Sequence, residues 1–142
     1  LMIVMRRSAD YDDLIPQLKG KKVAIWTCNT CARLCNEIGG QKSAEVLAER
    51  LSSDGVEITG ILSTSASCIM SKVDSKYDEK IIGGCDIVLS LVCDVGSACA
   101  EQMFGKPVLN PIETLGTGYL DINGMPILAD GSTVMMRVSP FV

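Results

Sequence analysis

Three thiols crowd one octapeptide, Cys28-Asn29-Thr30-Cys31-Ala32-Arg33-Leu34-Cys35, directly after the apolar run Val23-Ala24-Ile25-Trp26-Thr27. Sulfur can be a nucleophile, a redox centre or a soft metal ligand, and its neighbours decide which. Histidine is absent from the chain. That removes His-based triads, imidazole ligands and the commonest general base. Whatever chemistry is present has to run on sulfur, carboxylate, amide, hydroxyl or a bound cofactor. The chain holds seven cysteines in 142 residues, an odd number. Its first fifteen residues carry Arg6, Arg7, Asp10, Asp12 and Asp13, so no secretory signal is expected there. Reduced thiols in a cytoplasmic compartment are therefore expected, not a disulfide framework. A chain of this length buries most of its surface without covalent staples, which frees the cysteines for other work.

The elements that must position these thiols can be read from apolar periodicity. Strand-like runs alternate with helical patterns, the signature of a parallel α/β sheet. Val23 to Thr27 reads as the first strand, Val56 to Leu62 as the second, Ile87 to Val92 as the third and Pro107 to Leu109 as a fourth, at an edge. Between the first two, Ala44, Leu47, Ala48 and Leu51 recur at helical spacing after Gly39-Gly40 and before Asp54-Gly55. Asp74 is placed as the N-cap of a further helix containing Tyr77 and Ile81, and Ser97 to Phe104 as a short helix closed by Gly105. Tyr119 to Ile122 and Met125 to Leu128 flank Asn123-Gly124, the strongest short hairpin signal. Together these predict a single α/β domain with a mostly parallel, flavodoxin-like four-stranded sheet and a C-terminal β-hairpin. Its limits are read as an N-terminal arm over 1–20 with at most one short helix, the domain proper over 21–130, and a tail over 131–142, apolar from Val134 to Val142, that packs either on this domain or on another subunit, where it would suit an interface.

Ligands of open parallel sheets bind outside the carboxyl ends of the strands. Cys28 follows strand one, Cys68 lies in the loop after strand two and Cys93 closes strand three, so three strands deliver sulfur to one edge. Cys31 and Cys35 are four apart at the start of a helix, on one face and close to Cys28. Five thiols are thus candidate metal ligands: Cys28, Cys31, Cys35, Cys68 and Cys93. A single centre needs four, and Cys93 is the first to be set aside, before Cys35. Cys85 precedes strand three and Cys99 falls within a helix, so both are read as core residues, with Cys99 kept as a minor candidate for its closeness to Cys93. Four sulfurs satisfy zinc or an iron–sulfur cluster. Zinc sites usually present two Cys-x-x-Cys knuckles or a Cys-His mixture, whereas here there is one such pair and no His. Three ligands from one loop with a distant fourth is closer to a [4Fe–4S] arrangement, which is favoured.

The run Thr27 to Cys35, then Gly39-Gly40, Cys68, Leu89-Ser90-Leu91-Val92-Cys93, Asn110 and Thr114 to Gly118 resembles the methylenetetrahydrofolate reductase C-terminal-like domain, over about Lys21 to Leu128. That domain is found as the small metal-binding partner subunit of anaerobic reductases. The resemblance implies a non-catalytic accessory subunit in one-carbon metabolism that holds an iron–sulfur cluster or zinc. It would sit beside a flavin-bearing catalytic subunit and pass electrons or organise the complex. The family's cysteines fall on Cys28, Cys31, Cys35, Cys68 and Cys93. Longer members add a Cys-rich segment of the Cys-x-x-Cys type, and no cysteine follows Cys99 here, so one centre is implied, not two.

Two rival readings are weighed beside it. A cysteine after strand one with an arginine close behind resembles the phosphate loop of low-molecular-weight tyrosine phosphatases and arsenate reductases, where helix N-terminal N–H groups hold an oxyanion. That loop needs Cys-x5-Arg, and Cys28 to Arg33 has four intervening residues. A reactive Cys31 at the helix start keeps the thiol-enzyme reading in view. The other rival is a structural zinc-binding interaction subunit. Arg33 is read as exposed, Asp94 as a cap for the following helix, and Asn110 as turn chemistry. Gly39-Gly40-Gln41-Lys42-Ser43 lacks the spacing of a nucleotide loop. Net charge is −4, with thirteen Lys and Arg spread along the chain, so no nucleic-acid partner is expected. No apolar run reaches the roughly 18 residues of a membrane span.

Overall fold

Six consecutive buried residues, Val23 through Cys28, form most of the strand that organises the molecule. A run with no polar alternation has to be covered on both faces and paired on both edges. In the computed structural model, which describes residues 2–134 and 137–141, this strand lies inside a four-stranded parallel sheet. Numbered along the chain, the elements are β1 (Met2–Arg7), α1 (Tyr11–Leu18), β2 (Lys22–Cys28), α2 (Cys31–Leu34) and α3 (Gln41–Ser53). They continue with β3 (Glu57–Thr64), α4 (Met70–Asp74), β4 (Ile87–Leu91), α5 (Asp94–Phe104), β5 (Val108–Leu109), β6 (Ile112–Leu120) and β7 (Pro126–Leu128). The parallel sheet has the order β3-β2-β4-β5, the flavodoxin-like order, with the chain reversing direction across the sheet at β2.

Local sequence explains most of this. α3 buries Ala44, Leu47 and Leu51 on one face, and α5 ends at Gly105, whose φ of +64° is the left-handed cap expected there. Trp26 stands edge-on to Phe104 of α5, ring centroids 5.1 Å apart, which locks that helix over β2. The hairpin across Asn123-Gly124 forms as expected, pairing Gly118 with Leu128 and Leu120 with Pro126. Cys85 is buried, its thiol donating to the Ile82 carbonyl at 3.1 Å, and Cys99 packs half-buried against the core. No helix among the described residues is long and apolar enough to cross a membrane.

Two expectations are corrected, and one left open is decided. The segment read as an N-terminal arm is built into the fold: β1 pairs antiparallel with β6 along its whole length, and β1, β6 and β7 make a second sheet. α1 follows, burying Tyr11, Leu14 and Leu18 despite Pro16. Asp74 does not start a helix; it ends α4, and Asp78 caps instead, accepting from the Ile81 N–H at 3.0 Å over a short π-helical turn, Glu79–Gly83. Of the two places left open for the tail, it packs on this domain where it is described. The Arg7 N–H donates to the Arg137 carbonyl, Arg7 Nε donates to the Ser139 carbonyl, and Phe141 is buried beneath the Arg7 guanidinium. Residues 135, 136 and 142 of that tail lie outside the described residues.

Candidate metal centre

β2 and β4 are neighbours, and the carboxyl ends of both deliver a thiol. Cys28 is the last residue of β2, paired with Thr64 of β3 and one residue past the last β2–β4 pair, Thr27 with Leu91. Past β4, Cys93 is the N-cap of α5 with extended backbone (φ −65°, ψ 166°), which sets its thiol at the opening of that helix. The third thiol, Cys31, opens the single turn of α2 and accepts a hydrogen bond from the Ile3 N–H of β1 at 3.4 Å. Cys68 sits in the exposed turn between β3 and α4.

These four thiols line one cavity of about 380 Å³, walled otherwise by Ile3, Thr30, Ala32, Val95 and the 65–67 segment. No charged side chain is among its lining residues. The cavity opens where β2 and β4 part to opposite sides of the sheet, the switch point at which doubly wound folds bind their ligands.

Short-range contacts fix the walls. Thr27 Oγ1 donates to the Leu91 carbonyl at 3.0 Å and accepts from the Gly40 N–H at 2.7 Å, which ties β2, β4 and the loop after α2 at one atom. Gly39 lies so close to this junction that a Cβ would stand 2.7 Å from the Leu91 carbonyl oxygen and 2.8 Å from Ala32 Cβ. Thr30 Oγ1 donates to the Ser65 carbonyl at 2.6 Å, and the Asn29 N–H donates to the Thr64 carbonyl at 2.8 Å, closing the wall between α2 and the loop that carries Cys68. On the far side Asp94 and Thr114 exchange hydrogen bonds, which moors the start of α5 to β6.

Cys35 does not reach the cavity. α2 ends at Leu34, and Cys35, with φ −80° and ψ 69°, has left the helix. Its fully buried thiol turns under β1, accepting from the Met5 N–H at 3.5 Å and donating to the Met5 carbonyl at 3.2 Å. Of the five expected sulfurs, the fold gathers Cys28, Cys31, Cys68 and Cys93 and leaves Cys35 aside, the reverse of the order in which Cys93 and Cys35 were to be set aside. Burial pushes the Cys35 thiol above its ordinary pKa, partly offset by the Met5 bond. Burial also raises Cys93, whose sulfur feels Cys31 and Cys28 beside it, while the Gly96 and Val95 N–H groups draw it back down.

The contribution of β1 was hidden from sequence reasoning. Ile3 and Met5 point their N–H groups away from β6 and onto Cys31 and Cys35. The only local signal was the apolar run Met2 to Met5, and it gives no hint that its free edge meets a thiol-bearing helix. Arg33 is exposed, donates through Nε to the Asn29 carbonyl at 2.8 Å and does not line the cavity. Asn110 caps a turn, accepting from the Ile112 N–H.

No family model, no curated protein and no solved structure matches this chain. The donor set therefore has to be judged on its own chemistry. Four soft sulfurs around an uncharged cavity suit a thiophilic metal or cluster. Among the described residues, no group of three or more Cys, Asp or Glu side chains is close enough to hold a single metal ion as placed. Tetrahedral zinc would need its sulfurs drawn together to about 3.8 Å from one another, given a Zn–S bond near 2.3 Å. An iron–sulfur cube bonds each thiolate to a different iron and so accepts sulfurs set around a space.

Proposed function

We propose that this chain is an accessory redox subunit that holds one thiolate-ligated centre through Cys28, Cys31, Cys68 and Cys93, with a [4Fe–4S] cluster favoured over zinc. The observation that carries the reading is the gathering of four thiols, from three strand ends and one helix start, around a single uncharged cavity. Such a group, when bound, supplies one-electron transfer at a potential set by its surroundings. The chain's own part is to hold and screen it. The Ile3 N–H aimed at Cys31 and the helix-opening N–H groups at Cys93 offset thiolate charge, and the apolar walls limit water.

The resemblance to the methylenetetrahydrofolate reductase C-terminal-like domain supports a flavin-bearing catalytic subunit as partner and one-carbon or methyl-transfer metabolism as context. The reactive-thiol alternative loses support from the cavity itself. An oxyanion such as phosphate or arsenate is held most strongly by a cation, but no cation lines the cavity, and Arg33 bonds to the Asn29 carbonyl outside that lining.

Anaerobic purification with iron, zinc and sulfide analysis and a visible spectrum tests the proposal. Iron and inorganic sulfide in equal amounts, with broad visible absorption lost in Cys28→Ala and Cys31→Ala, is the expected result. A colourless wild-type protein free of iron, sulfide and zinc would overturn it. Zinc without iron would assign the same thiols to a structural site.

A further inference from the structure

The four thiols are not held alike. Cys28 is fixed in a strand paired on both edges, Cys93 is fixed at the start of an eleven-residue helix moored to β6, and Cys31 is fixed under β1. All three are at least half buried. Cys68 differs on each count. It is exposed and it lies in a turn. Val95, 55% exposed, lines the same cavity, and no charged side chain is among the lining residues.

We infer that Cys68 is the exchangeable ligand of the centre, and that a small external thiol takes its place at the metal. This rests on the metal reading above and adds to it an open coordination position facing solvent. Three ligands on rigid elements keep the group in place while the fourth, on a loop, leaves at little structural cost. In the exchange the metal–sulfur bond to Cys68 breaks and a bond to the incoming sulfur forms. The proton released by the incoming thiol passes to Cys68, so no electron is gained or lost. The incoming ligand is specified by the site. Soft metal favours sulfur, and an uncharged apolar mouth admits a small neutral thiol more readily than a multiply charged anion.

The test compares wild-type protein, Cys68→Ala and Cys28→Ala, each purified anaerobically without added thiol, by metal content, visible spectrum and circular dichroism. Cys68 is exposed, so its replacement is expected to leave the fold intact. Cys68→Ala should keep its metal with an altered spectrum, whereas Cys28→Ala should lose it. Titrated 2-mercaptoethanol should shift the Cys68→Ala spectrum saturably, at roughly tenfold lower concentration than the wild type requires. The wild type has to displace a tethered thiol of millimolar effective concentration. A folded but metal-free Cys68→Ala would overturn the inference while leaving the metal reading standing. So would a loaded variant with the wild-type spectrum and no response to the thiol. A metal-free wild type would instead overturn the metal reading, and this inference with it.

Discussion

Cys35 and Cys93 are both buried thiols near the same sheet edge, and the backbone separates their fates. Cys93 is extended and immediately precedes a helix, which leaves its sulfur lining the cavity at the switch point. Cys35 follows a helix of only one turn, and its dihedral angles send the sulfur into the layer between α2 and β1. Four-residue spacing from Cys31 predicts a shared helical face, and that holds only while the helix continues. The role of Cys35 is therefore packing and bonding to Met5. Cys35→Ala should leave metal content unchanged and cost about 1–3 kcal/mol of stability, from the lost sulfur contacts and an unpaired Met5 amide. Metal analysis beside urea denaturation checks this; loss of metal without loss of stability would contradict it.

At the scale of elements, the one-turn helix α2 and the loop behind it are pressed against the ends of β2 and β4. Only glycine at position 39 permits that approach. Gly39→Ala would drive a methyl group into the Leu91 carbonyl and the Thr27 hydroxyl, the atom on which three elements meet. The expected cost is about 1–3 kcal/mol from overpacking. Because α2 carries Cys31, a cluster held as proposed should also be lost faster to a chelator, measurable as decay of its visible band. A variant as stable as the wild type would show that the junction relaxes freely. β2, β4, α3 and the hairpin were legible in sequence because their signals are local: buried apolar runs, helical spacing, Gly105 and Asn123-Gly124. β1 was not legible. Its partner Ile112–Leu120 lies more than a hundred residues away, and Gly116 and Gly118 break the strand pattern of that partner.

Across the whole molecule, α1 is clamped to the end of α3. The Tyr11 hydroxyl donates to Asp54 Oδ2 at 2.5 Å, with the Arg50 guanidinium 3.6 Å above its ring. Burial, and then the bond to Asp54, hold the phenol protonated and push its pKa up to about 12. An unfolded tyrosine ionises near 10, so the folded state favours the protonated form. The contribution is complete below about pH 10 and is lost as pH rises through about 12. Tyr11→Phe should destabilise the protein by about 1 kcal/mol at pH 8. The gap between variant and wild type should close between pH 10 and 12 in denaturant titrations, and a constant gap would contradict the assignment. By itself the sequence determined the α/β class, the four parallel strands and the delivery of thiols to one sheet edge. These follow from periodicity and from the rule that strand ends face a common side. Only the tertiary structure decided which four thiols share a cavity, that Cys35 belongs to the core, and that β1 lays its N–H groups on two sulfurs. Those outcomes depend on where a single helical turn stops and on a strand pairing across most of the chain, and neither is written in local spacing.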